Sequence, residues 1–330
     1  MELKQVSFPQ MSFVGAVLII AIIVIRALAI NRLPKKTFLI MWGIAVLRLC
    51  IPFNISFDFS INAMPMKTLE VLKENVSNTA QNISQTLQIP QNQTIYPMEE
   101  SMGKIIPVLW MIWVIGVSVC LLFFLVSYVK CMRRFATSFP VRNEFAEQWR
   151  KEHKIRRRIE IRESGVTNTP LTYGVLHPVI LMPKKIDWND EEKIAYILEH
   201  EFIHIKRMDL VMKSILILIL SIHWFNPLVW IMYLLCNRDL ELSCDEMVIF
   251  NFGIENRTEY AYMLIDMEES KGSFTPMCNY FSKNVMEERI LSIMKTKKLS
   301  KAKVMSASIL VAGVSILCIF SISVNAKDQH

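Results

Sequence analysis

Residues 211–235 read "VMKSILILILSIHWFNPLVWIMYLL", and the fold turns on how they are taken. By hydropathy the stretch would make one more membrane crossing. His223, Asn226 and Pro227 interrupt its middle. Proline inside a helix removes a backbone donor and breaks or turns the chain, so the pattern predicts two half-length helices in a hairpin that lies against the membrane or dips into it. The choice has a chemical consequence. Next comes "NRDLELSCDEMV" (237–248), where Glu241 and Asp245 stand four apart on one helical face. A full crossing would carry both carboxylates to the opposite side of the membrane from everything before residue 211. A hairpin returns them to it.

What they return to is "ILEHEFIHIKRMDL" (197–210). His200 and His204 are one helical turn apart on the same face, so two imidazoles can reach one zinc ion. Glu201 then sits beside the metal and not on it, placed to take a proton from a water that the metal acidifies. Asp187 and Asn189 offer N-cap chemistry for this helix, and Asp190, Glu191 and Glu192 load its first turn with negative charge. Ile194, Ile197, Leu198 and Ile205 recur at helical spacing. With the hairpin in place, Glu241 can become a third zinc ligand and Asp245 can orient a ligating imidazole. Two alternatives stay open: His223 as the third ligand, and Glu241 with Asp245 as an ordinary solvated acidic face. Ahead of the zinc helix, 140–158 reads as a basic helix. "RIEIRES" (158–164) and "PLTYGVLHPVILMP" (170–183) read as short strands, the second punctuated by its prolines and Gly174 into edge-type strands. An edge beside the metal helix can pair with an extended substrate backbone, or it can simply close a small core.

The rest of the chain is organised around apolar blocks. Of its 330 residues, 52% are hydrophobic, and the mean hydropathy is +0.32, which excludes an ordinary soluble protein. The blocks are 11–30, 37–57, 105–129 and 304–324, each long enough to cross a bilayer as a helix. The first is read as a retained helix and not a cleaved signal, because a second block follows almost at once. "NRLPKK" (31–36), "KCMRRF" (130–135) and "KTKKLSKAK" (295–303) are basic, whereas 58–103 holds two lysines against five acidic residues. By the positive-inside rule the N-terminus and the loop lie outside and 130–303 lies inside. The expected organisation is two transmembrane helices with a short cytoplasmic linker (1–57), an extracellular loop (58–104), a third transmembrane helix (105–129), a cytoplasmic protease domain (130–303) carrying the hairpin 211–235, a fourth transmembrane helix (304–324) and a short extracellular tail (325–330). The basic run "KIRRRIEIR" (154–162) is assigned to anionic lipid, with no direct nucleic-acid partner. None of the seven cysteines lies in the loop, so no external disulfide framework is expected.

"HEFIHIKRMDL" (200–210) and "HWFNPLVWIMYLLCNRDLELSCDEMV" (223–248) together resemble the BlaR/MecR-type membrane metalloproteases, the antibiotic-sensing regulators of β-lactamase and methicillin resistance. "LRLCIPFNISF" (47–57) and "PLTYGVLHPVILMP" (170–183) share in the resemblance, which runs the length of the chain. It implies a gluzincin-like site with His200 and His204 as ligands, Glu201 as catalytic base, Glu241 as third ligand and Asp245 in support. It also implies the topology that charge suggests, and self-cleavage in a region corresponding to 271–284. Members carry an external penicillin-binding sensor after the last span. Here "SIMK" (292–295) and "SKAK" (300–303) lack a K-T-G partner, so the chain is not expected to be acylated by penicillin.

The resulting expectation is an α-helical integral membrane protein of four transmembrane helices with a cytoplasmic gluzincin-like α+β zinc protease domain. It would be a multi-pass protein of the bacterial cell membrane with one Zn2+, an endopeptidase cutting a cytoplasmic target (a winged-helix transcriptional repressor) or itself. The rival readings are a general membrane-protein-processing zinc protease and a non-catalytic signalling protein. His223 and Arg238 are the candidates for steadying the oxyanion, and a homodimer is compatible with the sequence.

Overall fold

The computed structural model describes residues 3–5, 8–51, 53–55, 98–269, 276–297 and 300–320. Most of the loop 58–104, residues 271–275 of the self-cleavage candidate, the end of the fourth apolar block and the tail 325–330 lie outside the described residues. A short strand β1 (Leu3–Gln5) precedes α1 (Phe8–Ala29) and α2 (Lys35–Cys50); β2 (Phe53–Ile55) pairs antiparallel with β1. α3 (Met98–Phe135) leads to β3 (Phe139–Pro140), α4 (Glu144–Glu152), β4 (Glu160–Ser164), β5 (Leu171–Tyr173) and β6 (Val179–Pro183). Then follow α5 (Glu191–Arg207), α6 (Asp209–Ile222), α7 (Pro227–Phe252), α8 (Arg257–Glu269), α9 (Pro276–Lys295) and α10 (Lys301–Phe320).

Among the described residues two helices are long and apolar enough to cross a membrane, Phe8–Ala29 and Pro107–Phe135, with hydropathies of 2.6 and 2.7. None of the apolar window of α3 is buried. Most of its apolar side chains from Val108 to Val129 are exposed, while on one face Trp113 Nε1 donates to the carbonyl of Ile222 (2.9 Å) and Phe124 packs against the bundle. The second block differs from expectation. α2 is only 16 residues long and stops at Cys50, well short of residue 57. Pro52 is the reason: it disfavours helical geometry at the residue before it, and Ile51 is extended (φ −96°, ψ 111°). In α10 the described apolar run is Val304–Ile316, and the end of the fourth block lies outside the described residues.

Residues 211–235 fold as two helices. α6 ends at Ile222, and Asn226 caps α7 by accepting from Leu228 N (3.0 Å), with Pro227 in the first turn where its missing N–H costs nothing. α7 then runs 26 residues, about 39 Å at 1.5 Å per residue, and takes part in two cores. Its first half, with Val229, Met232 and Cys236, packs with Ile19, Ile22, Phe38, Met41 and Trp42 of α1 and α2. Its second half, with Cys244, Val248 and Ile249, packs with Ile194, Ile197, Leu198, Ile180 and Tyr260. In the second core each large side chain removed from water contributes about 1.5–3 kcal/mol.

The four-stranded sheet runs β3-β4-β6-β5, with β4 and β6 parallel and the outer pairs antiparallel. Only β5 among the strands of 158–183 is an edge. β6 is central and buried along its length, because "VILMP" contacts the protein core on both faces. Gly174, at φ +82° with the carbonyl of His177 where a Cβ would sit, makes the turn between β5 and β6. α5 begins one residue later than Asn189 would set it. Asp190 is the N-cap, accepting from Lys193 N (3.0 Å), and Asp187 instead accepts from Asn189 N.

Candidate metal centre

α5 presents His200 and His204 toward α7, which presents Glu241. The two Nε2 atoms are 3.2 Å apart, and Glu241 Oε2 lies 3.5 Å from His200 Nε2 and 3.7 Å from His204 Nε2. For metal–ligand bonds of about 2.0–2.1 Å, a tetrahedral site has donor–donor edges of about 3.3 Å. The three atoms therefore fit the face of a tetrahedron around one ion. His223 and Arg238 are elsewhere. His223 is buried against α1 and α2, with Nε2 3.3 Å from the carbonyl of Leu49 and its ring stacked on Phe8. Arg238 pairs with Glu288 at 3.8 Å. Neither lines the cleft.

Both imidazoles are aimed from behind. His204 Nδ1 lies 2.6 Å from Asp209 Oδ2, and Asp209 is itself held by Arg207. His200 Nδ1 lies 2.9 Å from the Tyr260 hydroxyl, which donates to Asp245 Oδ1 (2.7 Å), and Asp245 takes two bonds from Arg289 (2.7 and 2.8 Å). In the neutral rings these contacts favour the proton on Nδ1, which would leave each Nε2 lone pair for a metal. Asp245 thus reaches His200 through Tyr260. Asp209→Asn removes the carboxylate behind His204 and is expected to lower metal affinity about 10- to 100-fold. Competition with a graded series of chelators reads this out, and unchanged affinity would refute the role.

Glu201 stands outside the triangle. Its Oε2 accepts from Thr172 Oγ1 at 2.7 Å, which ties it to the edge strand β5 and turns it into a cleft of about 420 Å³. The cleft is walled by Leu171 and Val175 on one side and by Met263, Met267 and Met286 on the other. Arg157, Lys213 and Arg289 are its cationic lining residues. Arg157 is spoken for by the carbonyls of Val175 and Ile205 (2.7 and 2.6 Å), while Lys213 and Arg289 lie 3.5 and 3.9 Å from Glu241.

A second donor set overlaps the first: His200, His204 and Cys244 have ligand atoms within 4.8 Å of one another. Cys244 sits one turn beyond Glu241 on α7, fully buried, and its thiol donates to the carbonyl of His200 (3.3 Å). Burial pushes that thiol up, but the two imidazoles overcome it and hold it below its ordinary range, although a thiolate there would face the His200 carbonyl oxygen. Glu241 forms the tighter triangle and has a side chain about a quarter exposed to the cleft.

The electrostatics follow from this crowding. Burial alone would lower the imidazoles, but the neighbouring Cys244 and Glu241, with Asp209 for His204, outweigh it and hold both above their ordinary range. Burial would raise Glu241, and the two imidazoles and Arg289 overcome it and hold the carboxyl well below the usual range.

Asp209, Tyr260, Arg289, Thr172 and Cys244 escaped the sequence reading. Asp209 had a local signal, an acidic residue five places after His204. Its return beneath that ring requires Met208 at φ +59°, a left-handed conformation uncommon for a non-glycine residue.

Two imidazole nitrogens thus converge on a carboxylate, with a further carboxylate held over an open cleft, in a chain two of whose helices are long and apolar enough to cross a membrane. The match is family-wide: residues 6–293 correspond to the family described as BlaR1 peptidase M56, and the chain belongs to it. It is 25% identical over 328 residues to the regulatory protein BlaR1 of Bacillus licheniformis, covering 94% of this chain and 54% of that protein. It is also 25% identical over 269 residues to the methicillin resistance mecR1 protein of Staphylococcus aureus, covering 77% and 44%. The chain spans about half the length of these curated relatives.

Proposed function

We propose that this chain is a zinc endopeptidase of a transmembrane signalling pathway, cutting a cytoplasmic repressor, itself, or both. The triangle of His200 Nε2, His204 Nε2 and Glu241 Oε2 carries the reading, since two imidazoles and one carboxylate in a tetrahedral arrangement suit zinc. A bound zinc ion would polarise the scissile carbonyl and bring the pKa of a water to about 7. Glu201 takes the proton of the attacking water and hands it to the leaving amine. Thr172 keeps that carboxylate pointed into the cleft. The free edge of β5, which has β6 on one side only, receives the substrate as an extended strand. Of the cationic lining residues Lys213 would steady charge on the substrate oxygen, since Arg157 and Arg289 are held by the carbonyls of Val175 and Ile205 and by Asp245.

The regulatory role is drawn from the names of the relatives, BlaR1 and mecR1. The full topology is four crossings, α1, α2, α3 and α10, with the α6–α7 hairpin inserted among them. The shared packing of α1, α2, α6, α7 and α10 supports it, as do the basic segments at 31–36, 130–135 and 295–303. Comparing the cleaved proteins of cells carrying the parent chain with those carrying Glu201→Gln tests the proposal. A repressor fragment or a cut within 271–284 that depends on Glu201 supports it, and identical cleavage in both overturns it.

Metal binding should also depend on pH with a defined sign. Imidazole nitrogens bind a metal only unprotonated, and both rings are held above their ordinary range in the metal-free protein, so protons compete with the metal for them. Affinity should therefore rise with pH, by about tenfold per unit for each proton displaced. Titrations at pH 6 and pH 8 check this, and equal affinities would contradict it.

A further inference from the structure

The helix that carries Glu241 is clamped to α1 at two points. At the start of α7, Asn226 Nδ2 donates to Ser12 Oγ (2.9 Å) and to the Ser12 carbonyl (3.2 Å). Further along, Asp239 accepts from Arg26 Nε (2.8 and 3.1 Å) and from Trp42 Nε1 of α2 (2.7 Å). Ser12 and Arg26 are 14 residues apart, and Asn226 and Asp239 are 13 apart. Each interval is about 20 Å of helix, so α1 and α7 run side by side in the same direction with their clamps in register.

Arg26 does more than close the second clamp. Its Nη2 donates to Glu288 Oε1 of α9 at 2.8 Å. Asp239 is two residues before Glu241, and Glu288 is next to Arg289. One guanidinium from the first apolar helix thus joins the two helices whose neighbouring residues, Glu241 and Arg289, approach each other at 3.9 Å beside the imidazoles. The Asp239 side chain is 1% exposed and that of Arg26 is 11%. A buried carboxylate stripped of its partner is costly, and a planar fork reaching two carboxylates has a fixed geometry that an ammonium cannot copy.

We propose that Arg26 is a positioning residue for the metal centre. By joining Asp239 to Glu288 it sets the spacing of α7 and α9 and so the placement of Glu241 toward His200 and His204. The first apolar helix is then part of the site, and a shift of α1 is felt at a metal ligand. This rests on Glu241 being that ligand.

The test uses the full chain in detergent micelles and reads affinity for zinc and cobalt, with the visible absorption of the cobalt form as a report on ligand geometry. Arg26→Gln is expected to weaken binding about tenfold, the lower end for residues behind metal ligands, and to alter the cobalt spectrum. Arg26→Lys, able to hold one carboxylate but not both, should fall between. On a Glu241→Ala background, Arg26→Gln should cost no further affinity, because the group through which it acts is gone. Unchanged affinity and spectrum in Arg26→Gln would overturn the proposal, as would losses that add fully across the Glu241→Ala background. If Arg26→Gln yields no folded protein, Glu288→Gln removes one arm at a partly exposed position and carries the same expectations and the same refutation. Unchanged affinity in Glu241→Ala alone overturns the ligand assignment, and this proposal with it.

Discussion

Glu201→Gln is expected to lose about 10²–10⁴-fold in peptide hydrolysis while retaining the metal content of the parent. Glu201 is not one of the converging donors: its Oε2 is engaged by Thr172 Oγ1 at 2.7 Å, and it faces the cleft beside the imidazoles. The substitution keeps the shape of the side chain and its capacity to accept from Thr172. It removes only the ability to take up a proton. Product formation by mass spectrometry and metal content by elemental analysis separate the two quantities. Loss of metal together with activity would mean that Glu201 holds the ion, and the division of labour drawn from the geometry would be wrong.

Glu241→Ala should lower metal affinity by at least about 100-fold, more than a change behind a ligand costs, whereas Cys244→Ser should leave it close to the parent. The two residues are three apart on α7, and both belong to donor sets that include His200 and His204. The prediction favours Glu241 because its carboxylate completes edges of 3.2, 3.5 and 3.7 Å and is held anionic by the surrounding cations. The Cys244 thiol is already spent on the carbonyl of His200. The reverse result, metal lost from Cys244→Ser and kept by Glu241→Ala, would replace the carboxylate with the thiol as third ligand.

Both experiments bear on how an apolar helix bundle and the candidate metal centre come to share one rod of structure. α7 enters the apolar bundle at Asn226 and leaves it carrying Asp239, Glu241, Cys244 and Asp245. The buried carboxylate at Asp239 is satisfied from α1 and α2, and that at Asp245 from α8 and α9. The charges that position the site are therefore supplied by helices that sequence distance keeps far apart.

Local pattern accounts for what could be read without coordinates. A four-residue interval puts His200 and His204 on one face of any helix, and Pro227 after Asn226 marks a break whatever surrounds it, because both effects act within a turn or two. Two of the long apolar blocks coincide with helices long and apolar enough to cross a membrane, for the same local reason, whereas Pro52 cut α2 short at Cys50, where hydropathy alone ran on to residue 57. The remainder depended on which surfaces pack together. Thr172 meets Glu201 across 29 residues, Tyr260 meets His200 across 60, and Arg26 meets Asp239 across 213. No periodicity encodes such pairs. They form because burying the apolar faces of α1, α2, α5, α7 and α8 forces specific polar atoms out of water, and each is left beside the partner that the packed helices bring to it.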